Sequence, residues 1–76
     1  MAVAVDSKNN VYVVEERANR VRRFDPKGAP LGGFGETGME VGRFRSPRSI
    51  AIDGKDHIFV SDRDNLRIQE FDPSLR

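Results

Sequence analysis

Three features of this sequence could bind a ligand or catalyse a reaction: a glycine motif, a pair of aspartates and a histidine. Residues 33–38 have the Gly-x-Gly-x-x-Gly spacing of a nucleotide-binding turn, with Asp53 downstream as a ribose-binding acid. Asp6 and Asp53 recur in similar contexts and could act as an acid–base pair or as calcium ligands. His57 is the single histidine, and a histidine can change charge near neutral pH. Each interpretation depends on the elements that position these residues.

The glycine motif does not have the context that pyrophosphate binding requires. That chemistry needs a helix that begins at the last glycine of the motif, so that its N-terminus faces the phosphates. Glycine and proline follow within ten residues of the motif and would break such a helix. Turns between strands explain the same residues, so we expect structural turn positions at Gly35, Gly38, Gly42 and Pro47.

The two aspartates and the histidine also have simple structural interpretations. A carboxylate that recurs at the same place in two turns can accept hydrogen bonds from neighbouring backbone N–H groups. We therefore expect Asp6 and Asp53 to be structural turn residues and His57 to lie at the surface. The sequence predicts no catalytic residue, no metal site and no cofactor.

Composition excludes several classes of protein. The 76 residues carry 13 basic and 12 acidic side chains, one histidine and no cysteine, which gives a net charge of +1. Disulfides, thiolate metal sites and cysteine nucleophiles are therefore absent. No membrane-length apolar run and no leader with a basic start are visible, so we expect no membrane partner. The localisation is unknown, with the cytoplasm as the default. So short a chain with 37% hydrophobic residues makes oligomerisation the first expectation.

The sequence contains an internal repeat. A shift of 47 positions aligns residues 3–26 with residues 50–73 without a gap, and eight of the 24 pairs are identical. Both units contain short apolar, β-branched or aromatic runs that end at turn residues, a pattern typical of strands. No sustained helical period is present. The predicted strands are residues 3–5, 11–14, 20–24 and 31–34 in the first unit, and 50–52, 58–60 and 67–71 in the second.

The residues around this repeat resemble the NHL repeat of β-propellers. Residues 35–47 have the spacing G-x-x-G-x-x-x-G-x-F-x-x-P that precedes a blade in that family, and residues 50–53, 58–62 and 65–72 are similar to its first three strands. The resemblance implies an all-β fold with two propeller blades, each an antiparallel sheet. The expected divisions are a four-stranded blade at residues 1–34, a linker at 35–49, and a three-stranded blade without its outer strand at 50–76.

Opposite charges flank the same turn in both units. Glu15 and Arg20 occupy the positions of Asp62 and Arg67, and we expect each pair to be a structural ion pair that holds its hairpin. The resemblance implies the same role.

Two blades cannot close a propeller, because a closed ring needs four to eight. We therefore expect the chain to associate with itself, most simply as a trimer with six blades. The expected function is that of a non-catalytic scaffold for binding and assembly, whose protein ligand is unknown.

Two other functions stay open. One is RNA binding, because the resemblance places five arginines on one face of the ring: Arg17, Arg43, Arg45, Arg48 and Arg63. The same face would carry six acidic residues: Glu15, Glu16, Glu36, Glu40, Asp62 and Asp64. The other function is that of a fragment of a propeller enzyme of the lactonase or lyase type. That chemistry needs convergent metal ligands, which one histidine and no cysteine supply poorly.

Overall fold

The computed structural model describes residues 2–35, 38 and 43–72. Within these residues all regular secondary structure is β, and seven strands form two antiparallel sheets. The predicted all-β class is confirmed. None of the described residues lies in a helix of the length and apolarity that crossing a membrane would require.

The two sheets follow one another along the chain. The first sheet contains β1 (Ala2–Val5), β2 (Val11–Glu15), β3 (Arg20–Phe24) and β4 (Pro30–Phe34), in that order. The second sheet contains β5 (Pro47–Ile52), β6 (Ile58–Asp62) and β7 (Arg67–Phe71), also in chain order. Such an up-and-down meander is the strand order of a propeller blade.

The repeat in the sequence is also a repeat in register. Val13 lies opposite Val3 on β1 and Arg22 on β3. Val60, the equivalent of Val13, lies opposite the equivalent residues Ile50 and Gln69. A shift of one residue would move every side chain to the other face of a sheet, so each side chain lies on the same face as its equivalent.

Strand β5 begins earlier than the sequence predicts. Pro47 pairs with Asp62, so the strand starts inside the segment that was expected to be the end of the linker. The register shifts between Pro47 and Ser49, and the Ser49 N–H donates to the Ser61 hydroxyl at 3.1 Å. A proline cannot donate to the ladder but is tolerated as the first residue of a strand, so Pro47 begins β5 instead of lying in the linker.

Each sheet has two faces with different side chains, because side chains alternate along a strand. We call face one the side that carries Val3, Val5, Val11, Val13 and Phe24 in the first sheet and Ile50, Ile52, Ile58, Val60 and Phe71 in the second. Face two carries Ala4, Tyr12, Val14, Val21 and Arg23 in the first sheet and Ala51, Phe59, Ser61, Ile68 and Glu70 in the second.

The core forms where face two of the first sheet packs on face one of the second. Its buried members are Tyr12, Val14, Val21, Ile58, Val60 and Phe71, joined by Phe44 from the segment between the sheets. Strands β1 and β2 lie against β5 across this boundary. The chain therefore has one apolar core, and both sheets contribute to it.

Three phenylalanines close one side of the core. The rings of Phe34 and Phe71 are 4.7 Å apart, and the Phe44 ring lies 6.0 Å from that of Phe71. Gly35 has φ +103°, and a Cβ there would approach the Phe44 ring to 2.5 Å. The first predicted turn glycine is therefore required both by its backbone conformation and by the packing of Phe44.

Candidate functional site

Three loop segments meet at one end of the two sheets. They are residues 16–19 between β2 and β3, residues 43–46 before β5, and residues 63–66 between β6 and β7. The Ser46 N–H donates to Asn19 Oδ1 at 2.9 Å, and the Asp64 N–H donates to the Arg45 carbonyl at 3.1 Å. We call this region the arginine end.

All five arginines that were predicted to share a face lie in or next to these segments and are exposed: Arg17, Arg43, Arg45, Arg48 and Arg63. Arg48 stands near the start of β5, where its guanidinium lies 3.7 Å from Glu16 Oε1. The arginine end thus presents a group of guanidinium side chains to solvent. Such groups suit bidentate contact with phosphate or carboxylate.

Asp62 is fully buried beneath this surface. Its Oδ1 accepts the Arg45 N–H at 2.6 Å, and its Oδ2 accepts from Asn65 Nδ2 at 2.7 Å. Arg67 Nε lies 3.5 Å from the same Oδ2. A buried carboxylate is tolerated only with such partners, so this cluster fixes the β6–β7 turn against the chain that enters β5.

The partners of Asp62 extend the cluster to the preceding segment. Asn65 Nδ2 also donates to the Gly38 carbonyl at 2.8 Å. Arg67 Nη2 and Gln69 Nε2 both donate to the Arg43 carbonyl, at 2.9 and 2.7 Å. These bonds satisfy backbone carbonyls that lie outside the strands, which is the condition for packing a loop against a core.

The sequence did not predict these hydrogen bonds of Asn65 and Gln69. A signal existed for Asn65, because it falls inside the segment that resembles the family repeat. Gln69 lies in the same segment, but it does not recur in the repeat, because Arg22 occupies the equivalent position in the first unit.

The equivalent pair in the first unit is much less buried. Arg20 Nε lies 2.6 Å from Glu15 Oε1, and the two side chains are 49% and 30% exposed. Arg22 lies 3.9 Å from the other Glu15 oxygen. Exposed pairs of this kind contribute little to stability. The two units therefore have the same charges at this turn, but only the pair in the second unit includes a buried carboxylate.

These pairs change the balance of charge at the arginine end. Asp62 and Glu15 are matched by Arg67 and Arg20, neither of which belongs to the five exposed arginines. Of the other acidic residues expected there, Glu16 faces Arg48 and Asp64 is exposed. Glu36 and Glu40 lie outside the described residues.

Asp6 and Asp53 lie at the opposite end of the sheets and bind within their own turns. Asp6 Oδ1 accepts the N–H groups of Lys8 and Asn10, both at 2.9 Å. Asp53 Oδ1 accepts the equivalent N–H groups of Lys55 and His57, at 2.9 and 2.8 Å. Each carboxylate caps a turn locally, as in Asx turns elsewhere.

Hydrogen bonds within these turns lower the pKa values of the two aspartates. Partial burial opposes ionisation of Asp6, but the Asn10 side chain and the N–H groups of Asn10 and Lys8 together lower its pKa below 3.8. The pKa of Asp53 is also lowered, chiefly by the His57 N–H, and His57 Nδ1 lies 3.1 Å from Asp53 Oδ2. Burial raises the pKa of Tyr12.

The other predicted turn residues have varied surroundings. The Gly38 N–H donates to the Phe44 carbonyl at 3.0 Å, and a Cβ on this glycine would meet the Arg43 side chain at 2.7 Å. Pro47 is buried at the start of β5. Gly42 lies outside the described residues. Among the residues that the structure describes, no three His, Cys, Asp or Glu side chains converge as metal ligands.

The outward faces of the two sheets form a second candidate surface. On face one of the first sheet, Val3 and Val5 are 54% and 51% exposed. On face two of the second sheet, Ile68 is 72% exposed, whereas its equivalent Val21 is fully buried in the core. The outward face one thus carries the same kinds of apolar residues as the buried face one. The outward face two keeps Phe59 and Ile68, but it has Ser61 and Glu70 where the buried face two has Val14 and Arg23.

Two meander sheets that repeat in register and stack face to face define a propeller-like repeat protein. The family model of the NHL repeat matches residues 44–71, which include Phe44 and all three strands of the second sheet. This segment is therefore similar to the NHL repeat, and the resemblance predicted from the sequence is confirmed there. A search of curated proteins found no match to the chain.

We expect the Asp62→Ala variant to lose about 3 kcal/mol of unfolding free energy, because Arg67, Asn65 and the Arg45 N–H lose a buried acceptor. Urea denaturation followed by circular dichroism, at one protein concentration, measures this loss. Glu15→Ala is the matched control and should cost less than about 1 kcal/mol, since its pair is exposed. Equal losses in the two variants would contradict the role assigned to Asp62.

We expect Asp6 to make folding sensitive to acid. Its pKa is lower in the folded chain than in the unfolded chain, so its contribution is complete above the unfolded pKa and disappears as pH falls through the folded value. Asp6→Asn keeps an oxygen that can cap the turn but cannot ionise. From about pH 5 to about pH 3, its urea midpoint should fall less steeply than that of the wild type. Parallel curves would show that Asp6 does not contribute to the acid sensitivity.

Proposed function

We propose that this chain is a non-catalytic module for binding and assembly, which stacks on copies of itself until a ring of blades closes. The observation that carries this proposal is that the outward faces share most of their apolar positions with the covered faces. Face two of the first sheet covers face one of the second sheet. Face two of the second sheet and face one of the first sheet therefore have the residue types to form the same joint between two copies.

The exposed fractions support this assignment. Val11 and Val13 are partly exposed, whereas their equivalents Ile58 and Val60 are fully buried. A sheet face of four strands and five residues covers roughly 300 Å². At about 25 cal/mol per Å², covering it contributes up to roughly 7 kcal/mol, which is comparable with the net stability of a domain.

The joint would be head to tail, so each added copy leaves the same two faces free. Such a contact is heterologous and ends only when the accumulated rotation closes a ring. Two sheets per copy and a ring of four to eight blades allow two to four copies. Three copies with six blades are the assembly that we propose.

Light scattering behind a sizing column, across a tenfold range of concentration, tests the proposal. We expect a species of about three times 8.6 kDa that dissociates on dilution. A folded chain that stays monomeric at micromolar concentration would refute self-association. A mass of two or four chains would refute the trimer but would still agree with head-to-tail stacking.

Two charged substitutions test the faces themselves. Ile68→Glu and Val13→Lys place opposite charges on the two outward faces, so each variant alone should be monomeric while its circular dichroism stays unchanged. An equimolar mixture should form a species of two copies, because face one of the Ile68→Glu chain and face two of the Val13→Lys chain are both unaltered and still form one joint. Lys27→Gln changes the net charge by the same amount as Ile68→Glu at a turn and should leave assembly unaffected. A mixture that stays monomeric would contradict the pairing of these faces.

RNA binding is the second candidate function, and the charge balance at the arginine end favours it. Two of the acidic residues expected on this face, Glu15 and Asp62, are matched by Arg20 and Arg67. The five exposed arginines therefore oppose fewer free carboxylates than the sequence suggests. Exposed guanidinium groups in neighbouring loops suit contact with the phosphates of a single strand.

Fluorescence anisotropy with a labelled single-stranded RNA of mixed sequence tests this function. The triple variant Arg17→Gln, Arg45→Gln, Arg63→Gln should lose most of the affinity and should have a shallower salt dependence. The matched control replaces the three lysines at the opposite end by glutamine, at Lys8, Lys27 and Lys55. Equal losses in the two variants would indicate unspecific charge attraction and would contradict a site at the arginine end.

A further inference from the structure

Two turns of identical geometry meet at the end of the sheets opposite to the arginine end. Residues 6–10 join β1 to β2, and residues 53–57 join β5 to β6. In both, the first aspartate accepts N–H groups two and four residues further on. The fourth residue is left-handed in both, with φ 65° at Asn9 and 63° at Asp56. The two turns therefore direct equivalent side chains in equivalent directions.

The second sheet is tied to the first through these turns. The Ser7 N–H donates to Asp56 Oδ1 at 2.9 Å, and the Ser7 hydroxyl donates to Asp56 Oδ2. We call this pair of bonds the turn latch. It joins the second residue of one turn to the fourth residue of the other, across the boundary where the sheets pack.

The repeat identifies the residues that would meet at the same place between two copies. Gly54 is the equivalent of Ser7, and Asn9 is the equivalent of Asp56. We propose that Asn9 of one copy meets Gly54 of the next and forms half of a turn latch, and that these two residues limit the polar contribution to the joint between copies. This inference rests on the proposed head-to-tail stacking.

The chemistry of the two residues explains why this latch would be weaker. The Asn9 amide oxygen can accept the Gly54 N–H, which reproduces one of the two bonds. Gly54 has no hydroxyl for the second bond, and an amide is a weaker acceptor than a carboxylate. The joint between copies therefore depends more on apolar contact than the joint within the chain does.

A second polar contact has no counterpart between copies. Within the chain, Asn19 Oδ1 accepts the Ser46 N–H at 2.9 Å and so ties the first sheet to the start of β5. Leu66 occupies the position of Asn19 in the second unit and has no acceptor in its side chain. Both polar ties are thus reduced at the outward faces, which predicts a reversible, concentration-dependent assembly.

The double substitution Asn9→Asp, Gly54→Ser would restore the complete latch between copies. Both changes are compatible with the local structure, because Asp56 already occupies the left-handed position and a Cβ at Gly54 meets nothing within 4 Å. We expect the concentration at which the assembly half dissociates to fall about tenfold, as measured by analytical ultracentrifugation.

The single variants test the direction of the joint. Asn9→Asp chains mixed with Gly54→Ser chains should associate more tightly than either variant alone, because the complete latch needs one residue from each. The converse variant, Ser7→Gly with Asp56→Asn, places the weak latch inside the chain. It should lower the urea midpoint and leave the number of copies unchanged.

The outcomes separate this inference from the proposed function. If the wild type associates and the double variant dissociates at the same concentration, the latch is refuted and the stacking stands. If both are monomeric, both proposals are refuted. An association that is tightened by the double variant, and in the mixture of single variants, supports the latch and its head-to-tail direction.

Discussion

The packing of the second sheet on the first determines where the other features of the molecule lie. Each sheet has two faces with apolar residues, and within one chain only one face of each sheet is covered by the other. The buried apolar residues of the strands are those of the covered faces, while Val3, Val5 and Ile68 remain exposed outside. Since burial of apolar area is the main favourable term in folding, the outward faces are the strongest source of further association.

Polar groups set the alignment of this packing at both ends of the boundary. At one end, buried Asp62 fixes the chain that enters β5, and Asn19 binds the same segment from the first sheet. At the other end, Asp56 binds Ser7. Apolar packing is not directional, whereas these hydrogen bonds have fixed geometry, so they select one arrangement of the sheets.

The sequence predicted the strands well where the repeat and the turn chemistry agree. The bounds of β3 and β7 match the prediction, because Asp-Pro ends both strands and the charged pair begins them. The start of β5 was placed too late, because the apolar pattern begins after Ser49 while the ladder already includes Pro47. The apolar pattern of a sequence indicates which side chains are buried. In β5 the backbone pairing begins before the first apolar residue of that pattern.

The candidate sites were predictable in part. Charge and spacing indicated the pair of Asp62 and Arg67, yet nothing in the sequence showed that Asp62 is buried while Glu15 is exposed. The contact of Ser7 with Asp56 was invisible for a different reason. Its two residues occupy different positions of the repeat, so a comparison of one unit with the other does not bring them together. Contacts between sheets require the three-dimensional packing, whereas contacts within a turn follow from local sequence.

The turn that begins at Asp6 occurs a third time within the chain. Asp25 Oδ1 accepts the N–H groups of Lys27 and Ala29, both at 2.9 Å, and Gly28 takes the left-handed position. This turn joins β3 to β4, so two of the three hairpins of the first sheet have the same connection, with a lysine at the same place. The 47-residue period therefore contains a shorter repeated element, which is this turn at one end of the sheets.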